Sequence, residues 1–597
     1  MQANKLIAST LGLAAAGLVA APAQAATVNV TGNITTSTTW TSDNEYQLDT
    51  VVYVEPGATL TIQPGTIVRG NGANTALAVA RGAQIFAEGT KDAPIIMTSV
   101  DDTGSAPDGT RATYSGTSAE WGNLTLLGNA IIGEDGGTTN ADNAPDGTAE
   151  DQMEGLEDLP GGFPFYGGPD DNDDSGVLSY VSLRYGGRVV GTANELNGIS
   201  IGGVGRGTDI RNIEIFSNVD DGIEIWGGTV NIKYATIWYI GDDSFDLDEG
   251  WRGKAQFVLI VQGANDPSPA GLTADVGTGV GDSLFEMDGV EGGLEVQPFG
   301  TPLLYNFTAI GMPPGSLPGF NEIFDFSDNQ RLQIANSVFI QPGGGVTDGS
   351  PSAYPAGSSF NDLLARDYDV FSANELAVLN EVGVTTGTDF YTTYTSGKWI
   401  QFTDSVWYEI DTQNDEGDIG SAELAALGQT AAGYNNVVNP TSLPIQKLVR
   451  DPEFIVDGRS VKLIAPAGLD PRAANDAVTS VGTAPDDGFF TPAQYRGAFS
   501  EDVNWALGWT AADQYGLYDT TTANPAQPAA TLEVLATVVS FQTQVGLDYV
   551  VEESTDGGVV WNPVPGGSIS GDGSIVDVQT LLGTSFDGNA LYRVIVQ

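Results

Sequence analysis

DIRNIEIFSNVDDGIEIWGGTVNIKYATIWYIGDDSFDLDEG, from Asp209 to Gly250, is the stretch whose reading decides the fold. Short β-rich runs return in it at nearly one interval. Ile199 to Ile223 spans 24 residues, and Ile223 to Phe245 spans 22. The chemistry returns with the second interval: Asp220-Asp221-Gly222-Ile223-Glu224-Ile225 is echoed by Asp242-Asp243-Ser244-Phe245-Asp246-Leu247. A repeat of this length marks stacked supersecondary units. Three short β-runs per repeat with no helical period between them predict one coil of a right-handed parallel β-helix.

Working outward, Val51–Gly70 and Leu77–Thr90 show period-2 alternation with Gly/Pro punctuation and read as earlier coils. Leu303–Gly311, Arg331–Gln341 and Trp399–Ile410 read as later ones. Residues 133–176 are acidic and Gly/Asn/Asp-rich, a long loop on the solenoid flank. In residues 359–384 the period changes, and Ser372 with Glu375 form a capping box, so short helices are inserted there. The aromatic-rich run 489–515 is expected to cover the open end of the last coil. The β-helix is thus expected over 26–518. Residues 519–530 are a Thr/Ala/Pro linker, and 531–597 a small all-β unit with the alternation of a β-sandwich.

The 78 glycines and 30 prolines suit many short strands and tight turns. With 22 basic and 77 acidic residues the net charge is −55. Like charge argues against nucleic acid and anionic membrane as partners and favours cations. There is no Cys and no His. That excludes disulfides, thiol chemistry, His-ligated zinc and Ser-His-Asp catalysis. Lys5, the apolar run Leu6–Ala20 and Ala23-Gln24-Ala25 form a secretory signal, so the mature chain is expected to start at Ala26. It is then secreted or displayed on the outer cell surface, with the periplasm as an alternative, and no later stretch reads as a membrane span.

Acidic loops direct attention to Ca²⁺, which takes six to eight oxygen ligands. Asp171-x-Asp173-x-Ser175-Gly176 has the opening of a calcium loop without its final Glu. A second candidate places Thr412, Asn414, Glu416, Gly417 and Glu423 at loop positions one, three, five, six and twelve. In stacked coils, Asp220 and Asp221 would lie one strand spacing, about 4.8 Å, from Asp242 and Asp243, and Glu224 from Asp246. Three explanations stand open: a cation neutralises the cluster, the Asp residues cap turns through backbone N–H groups, or the carboxylates act as an acid/base pair on a sugar.

Gly241-Asp242-Asp243-Ser244 resembles the paired-Asp coil of pectin-cleaving polygalacturonases. Those enzymes add a Gly-His-Gly coil and a later Arg-x-Lys coil. Here there is no His, and Arg252-Gly253-Lys254 follows only ten residues after Asp242. Resemblance to β-helix polysaccharide lyases would make Asp242, Asp243 and Lys254 the catalytic candidates, with Arg252 as an alternative base. Pairing of Arg252 and Lys254 with Asp248 and Glu249 is the simpler role. The runs YGGPDDNDDSGVLSYVSLRYGG, ELNGISIGGVGRGT, DDGIEIWGGTVNIKYA, GDDSFDLDEGWRGKAQF and GFFTPAQYRGAF resemble a family of uncharacterised secreted bacterial β-helix proteins over roughly residues 45–518. That resemblance implies fold and export and assigns no catalytic residue. The last module resembles small β-sandwiches appended to secreted proteins. The resulting expectation is an exported, calcium-stabilised β-helix that binds an extracellular polysaccharide or cell-envelope component without catalysis. Its alternatives are a polysaccharide lyase or glycoside hydrolase, and a purely structural surface protein.

Overall fold

The computed structural model describes residues 26–133, 147–156, 162–191, 194–264, 281–290, 298–313, 323–328, 330–341, 347–349, 399–410, 433–456, 459–479 and 481–521. In the C-terminal part it describes 540–542, 548–554, 562–570, 575–577 and 591–596. The expected signal sequence, the expected helical insert 359–384 and the candidate calcium loop of Asn414, Glu416 and Glu423 lie outside the described residues.

The coils stack as a right-handed parallel β-helix. One wall is a nine-stranded parallel sheet that includes Val51–Val54, Ala76–Val79, Leu124–Leu127, Ile199–Gly202, Ile223–Trp226, Phe245–Asp248, Phe285–Met287 and Phe324–Phe326. Its register is the one the repeat predicts, since Ile199 pairs with Ile223 and Ile223 with Phe245. The other two walls belong to one 17-stranded sheet. Its eight- and nine-residue strands, such as Asp209–Phe216 and Asn231–Trp238, each bend once.

The bends have a stereochemical cause. Tyr180, Asn212, Tyr234, Phe257, Asn306 and Asn336 all sit at positive φ, between 49° and 62°. Pairing skips this position on each coil, passing from Ser179–Arg211 to Val181–Ile213. Asn tolerates left-handed backbone, which explains three of the six. Tyr234 and Phe257 lack that tolerance and instead stack on each other at 4.9 Å. Close coil approach also requires glycine beside the Asp pairs. A Cβ on Gly222 would lie 2.4 Å from the Ser244 carbonyl oxygen, and one on Gly241 1.9 Å from that of Val219.

Inward side chains form one continuous core, including Ile199, Ile201, Ile223, Ile225, Phe245, Leu247, Phe285 and Phe324. Each fully buried Ile or Phe contributes roughly 1.5–3 kcal/mol relative to exposure. Phe285 and Phe324 stack at 4.7 Å, and Phe324 reaches Phe402 at 5.3 Å.

The aromatic-rich segment does not close the end of the solenoid as expected. It threads back over the outer face of the long sheet. Asn336 donates to the Gly482 carbonyl at 3.0 Å, Asn306 to that of Tyr495 at 2.9 Å, and Gln256 to that of Thr491 at 2.8 Å. Farther back, Gln514 donates to Thr110 Oγ1 at 2.7 Å. The reason is that this wall is apolar on its outside as well. Phe216, Trp238, Leu259, Ile310 and Val338 need cover and receive it from Ile464, Leu469, Phe499, Ala506 and Ala511. Glu214 anchors the return. Its carboxylate accepts Ser182 Oγ at 2.6 Å and the N–H groups of Ala511 and Ala512 at 2.6 and 3.2 Å, at the start of the short helix Ala511–Gln514.

The chain divides into two compact units, Met1–Ala523 and Asn524–Gln597. In the second, Asp548–Ser554 pairs antiparallel with Asn562–Ser570 and Leu591–Val596, and Ser540–Gln542 with Ile575–Asp577. Among the described residues no helix is long and apolar enough to cross a membrane.

Replacing Glu214 by Ala leaves buried N–H groups without acceptors, at about 1–3 kcal/mol each. Limited proteolysis within residues 503–521 is expected to accelerate roughly tenfold or more while the far-UV spectrum of the coils is retained. Unchanged cleavage would remove the anchoring role.

Candidate functional site

The repeat places its carboxylates in columns. On the nine-stranded wall, odd positions such as Ile223 and Ile225 point into the core, so Glu224 points out. Pairing then stacks Glu224 on Asp246, Asp246 on Glu286, and Glu286 on Asp325. The preceding turn adds a second column. The Asp282 N–H donates to the Asp242 carbonyl at 2.9 Å, one coil above Asp220.

Two of the Asp residues perform the turn-capping role. The Asp221 N–H donates to Asn197 Oδ1 at 3.0 Å, the Asp243 N–H to Asp221 Oδ1 at 2.8 Å, and the Ser283 N–H to Asp243 Oδ1 at 2.5 Å. Each side chain thereby holds the next coil's turn. Capping does not account for the remaining acidity. Asp220, Asp221 and Asp242 each offer an oxygen within 4.8 Å of the others, and so do Asp221, Glu224 and Asp246. All of these are buried except the half-buried Asp242.

Electrostatics follow from this crowding. Burial is the main cause that raises the carboxyls of Asp220, Asp221, Glu224, Asp243, Asp246 and Glu286 well above their ordinary range. Neighbouring carboxylates add to it: Asp242 acts on Asp220, Asp220 on Asp221, and Glu286 on both Asp243 and Asp246. Glu224 is hydrogen-bonded to Asp246, and Glu286 to Asp243. Two carboxyls can bond only by sharing a proton, and a cation between them supplies the same positive charge.

Other residues read from the sequence lie elsewhere. Asp171, expected as a calcium ligand, is occupied by Arg252: the guanidinium donates to both carboxylate oxygens, at 2.7 and 2.8 Å, with both side chains 2% exposed. The Ile131 N–H adds a third bond to it at 3.2 Å. Asp173 accepts from Ser175 Oγ at 3.2 Å and from backbone N–H groups of Gly205 and Asn129, yet burial pushes its pKa up to about 6. The Ser175 N–H donates to Thr208 Oγ1 at 2.8 Å. Asp171 is thus joined to Arg252 and Ile131, Ser175 to Thr208, and Asp173 and Ser175 to each other. Lys254, the candidate base, stands on the strand Lys254–Val261 of the other sheet, where its Nζ is ion-paired with Asp487. Arg252 pairs with Asp171 and Lys254 with Asp487, where the sequence reading expected Asp248 and Glu249 as partners.

Sequence reading missed Asp282 and Glu286. Their signal was present: Gly281-Asp282-Ser283-Leu284-Phe285-Glu286-Met287-Asp288 echoes Gly241–Asp248, masked by the insertion between the coils. It also missed Tyr166, which the excursion carries over Gly202 to a hydrogen bond with Glu249 beside Asp151. No repeat marks that residue, because it arrives from outside the solenoid.

Residues 32–318 match the family model described as a pectate-lyase-like β-helix domain. The matched span holds both acidic columns through Glu286. Comparison with curated proteins and with solved structures gives no match.

Two measurements check this site. Asp171→Asn is expected to lower stability by about 3–5 kcal/mol, the effect of breaking a buried ion pair. The loss should be equal with calcium and with chelator, and a calcium-dependent loss would return Asp171 to metal binding. The raised carboxyls bind more protons in the folded than in the unfolded chain, so their contribution is full below about pH 4 and is lost as pH rises through the raised folded-state values. In chelator the melting temperature should therefore fall from pH 5 to pH 8, and added calcium should diminish that fall. A melting temperature flat or rising over this range would contradict the electrostatic picture.

Proposed function

We propose that this chain is an exported β-helix protein that holds an anionic extracellular polysaccharide through divalent cations, calcium foremost, seated on the acidic columns, without cleaving it. The observation that carries the reading is the stack of Asp220, Asp221 and Glu224 under Asp242 and Asp246, five carboxylates of hard ligand chemistry in a crowded array. An acidic face repels a polyanion on its own. Cations reverse that sign and leave coordination positions for the carboxylates of the polymer. The match to a pectate-lyase-like β-helix domain supports a polysaccharide partner. A non-catalytic role is supported by the engagement of both basic candidates, Arg252 by Asp171 and Lys254 by Asp487. Export rests on the N-terminal Lys5–Ala25 signal.

A second reading, glycoside hydrolysis, is favoured by one feature: burial, and after it the neighbouring carboxylates, push the Asp243 carboxyl well above its ordinary range beside the half-buried Asp242, the direction expected of an acid with a partner carboxylate.

The test incubates the chain from Ala26 onward with polygalacturonate, alginate and neutral glucans, and measures co-sedimentation and new reducing or unsaturated ends. Calcium-dependent retention on a polyanion, weakened about tenfold or more in Asp246→Asn, is expected, a difference of about 1.4 kcal/mol or more. Retention on no polymer overturns the proposal. Product that disappears in Asp242→Asn makes the protein an enzyme.

A further inference from the structure

The two carboxylate groups of the acidic columns are not separate clusters. Asp221 belongs to both, grouped with Asp220 and Asp242 on one side and with Glu224 and Asp246 on the other. We infer that Asp221 bridges two divalent-cation positions, one in the turn between Asp220 and Asp242 and one on the wall between Glu224 and Asp246, so that this site takes a pair of ions. The inference rests on the cation reading given above and deepens it.

Geometry, charge and one orphaned atom support the pair. Calcium–oxygen distances of about 2.3–2.6 Å place opposite ligands about 4.6–5.2 Å apart. Oxygens within 4.8 Å of one another in each group therefore suit an ion between them. Asp221 Oδ1 accepts the Asp243 N–H. A carboxylate has about four lone-pair sites, which leaves capacity for two cations. The five carboxylates of the two groups carry five negative charges when ionised. One divalent ion would leave three uncompensated in a buried array, and two leave one. Asp246 adds a pointer of its own kind: its side chain meets Glu224, it is 5% exposed, and its Oδ1 has no hydrogen-bond partner. A buried carboxylate oxygen without a donor is destabilising unless something positive lies against it.

The pair spans two coils. Asp220, Asp221 and Glu224 come from one and Asp242 and Asp246 from the next, so the ions cross-link the stack along its axis. Loading should be cooperative, since ordering Asp221 for the first ion prepares it for the second.

The experiment is calcium stoichiometry by equilibrium dialysis with elemental analysis on the chain from Ala26, wild type against single variants. Differences between variants report on this site whatever else the chain binds. Asp242→Asn and Asp246→Asn should each lose one ion, and Asp221→Asn should lose two. Asparagine keeps the Oδ1 acceptor for the Asp243 N–H, and folding of each variant is checked by its thermal transition. Mn²⁺ electron paramagnetic resonance gives a readout that does not depend on the Asp221 variant: wild type should show a magnetically coupled pair, and Asp246→Asn only isolated ions. Loss of one ion in Asp221→Asn, or uncoupled Mn²⁺ in wild type, overturns the bridge while leaving cation binding in place. Wild type that binds no divalent ion overturns the cation reading and the bridge together.

Discussion

Backbone pairing between successive coils is the constraint on which everything else in this molecule depends. A parallel ladder sets like positions about 4.8 Å apart, and it does so whatever the side chains are. For Ile199, Ile223 and Phe245 the result is a core that stacks on itself. For Glu224, Asp246 and Glu286 the same rule forces like charges into a column. Two carboxylates at that spacing repel by about 3–4 kcal/mol at an effective dielectric of 20. The ladder therefore creates a standing demand for protons or cations on one wall, and this links the fold to the proposed function.

The chain answers part of that demand locally. Asp221 and Asp243 spend one oxygen each on the next coil's N–H, which turns two acidic residues into turn braces. Asn197 makes the same bond one coil earlier. On the wall, the Asn197 amide donates to Glu224, and the backbone N–H groups of the strands are committed to the ladder. Function is expected where local satisfaction stops. Asp246, on the wall, keeps an oxygen without a donor.

Two long-range pieces of the described solenoid unit are fixed to it by charged side chains. The excursion 147–176 is tied down by the bidentate Asp171–Arg252 pair. The returning segment is tied by Glu214 at the start of a short helix and by Lys254 with Asp487. These contacts engage Arg252 and Lys254, the two basic residues that the sequence reading offered as candidate bases. The distribution of the few Lys and Arg residues, as much as the abundance of acids, thus shapes the functional reading.

The fold class was legible in residues 199–250, because period-2 alternation returning every 22–24 residues admits few architectures, and the observed register pairs Ile199, Ile223 and Phe245 as that interval requires. The neighbourhood of Asp220, Asp221, Asp242 and Asp246 was legible for the same reason: in a solenoid, sequence interval converts directly into distance. What the interval could not carry, the tertiary structure decided. Asp282 and Glu286 join the column across an insertion that breaks the count. Arg252 meets Asp171 and Lys254 meets Asp487 through contacts 81 and 233 residues apart. The aromatic segment covers a side wall, because the outside of that wall is apolar and burying it is favourable. Sequence determines the stack where neighbours in space are neighbours in the repeat. Wherever the chain leaves the repeat and comes back, burial and pairing of charge make the choice.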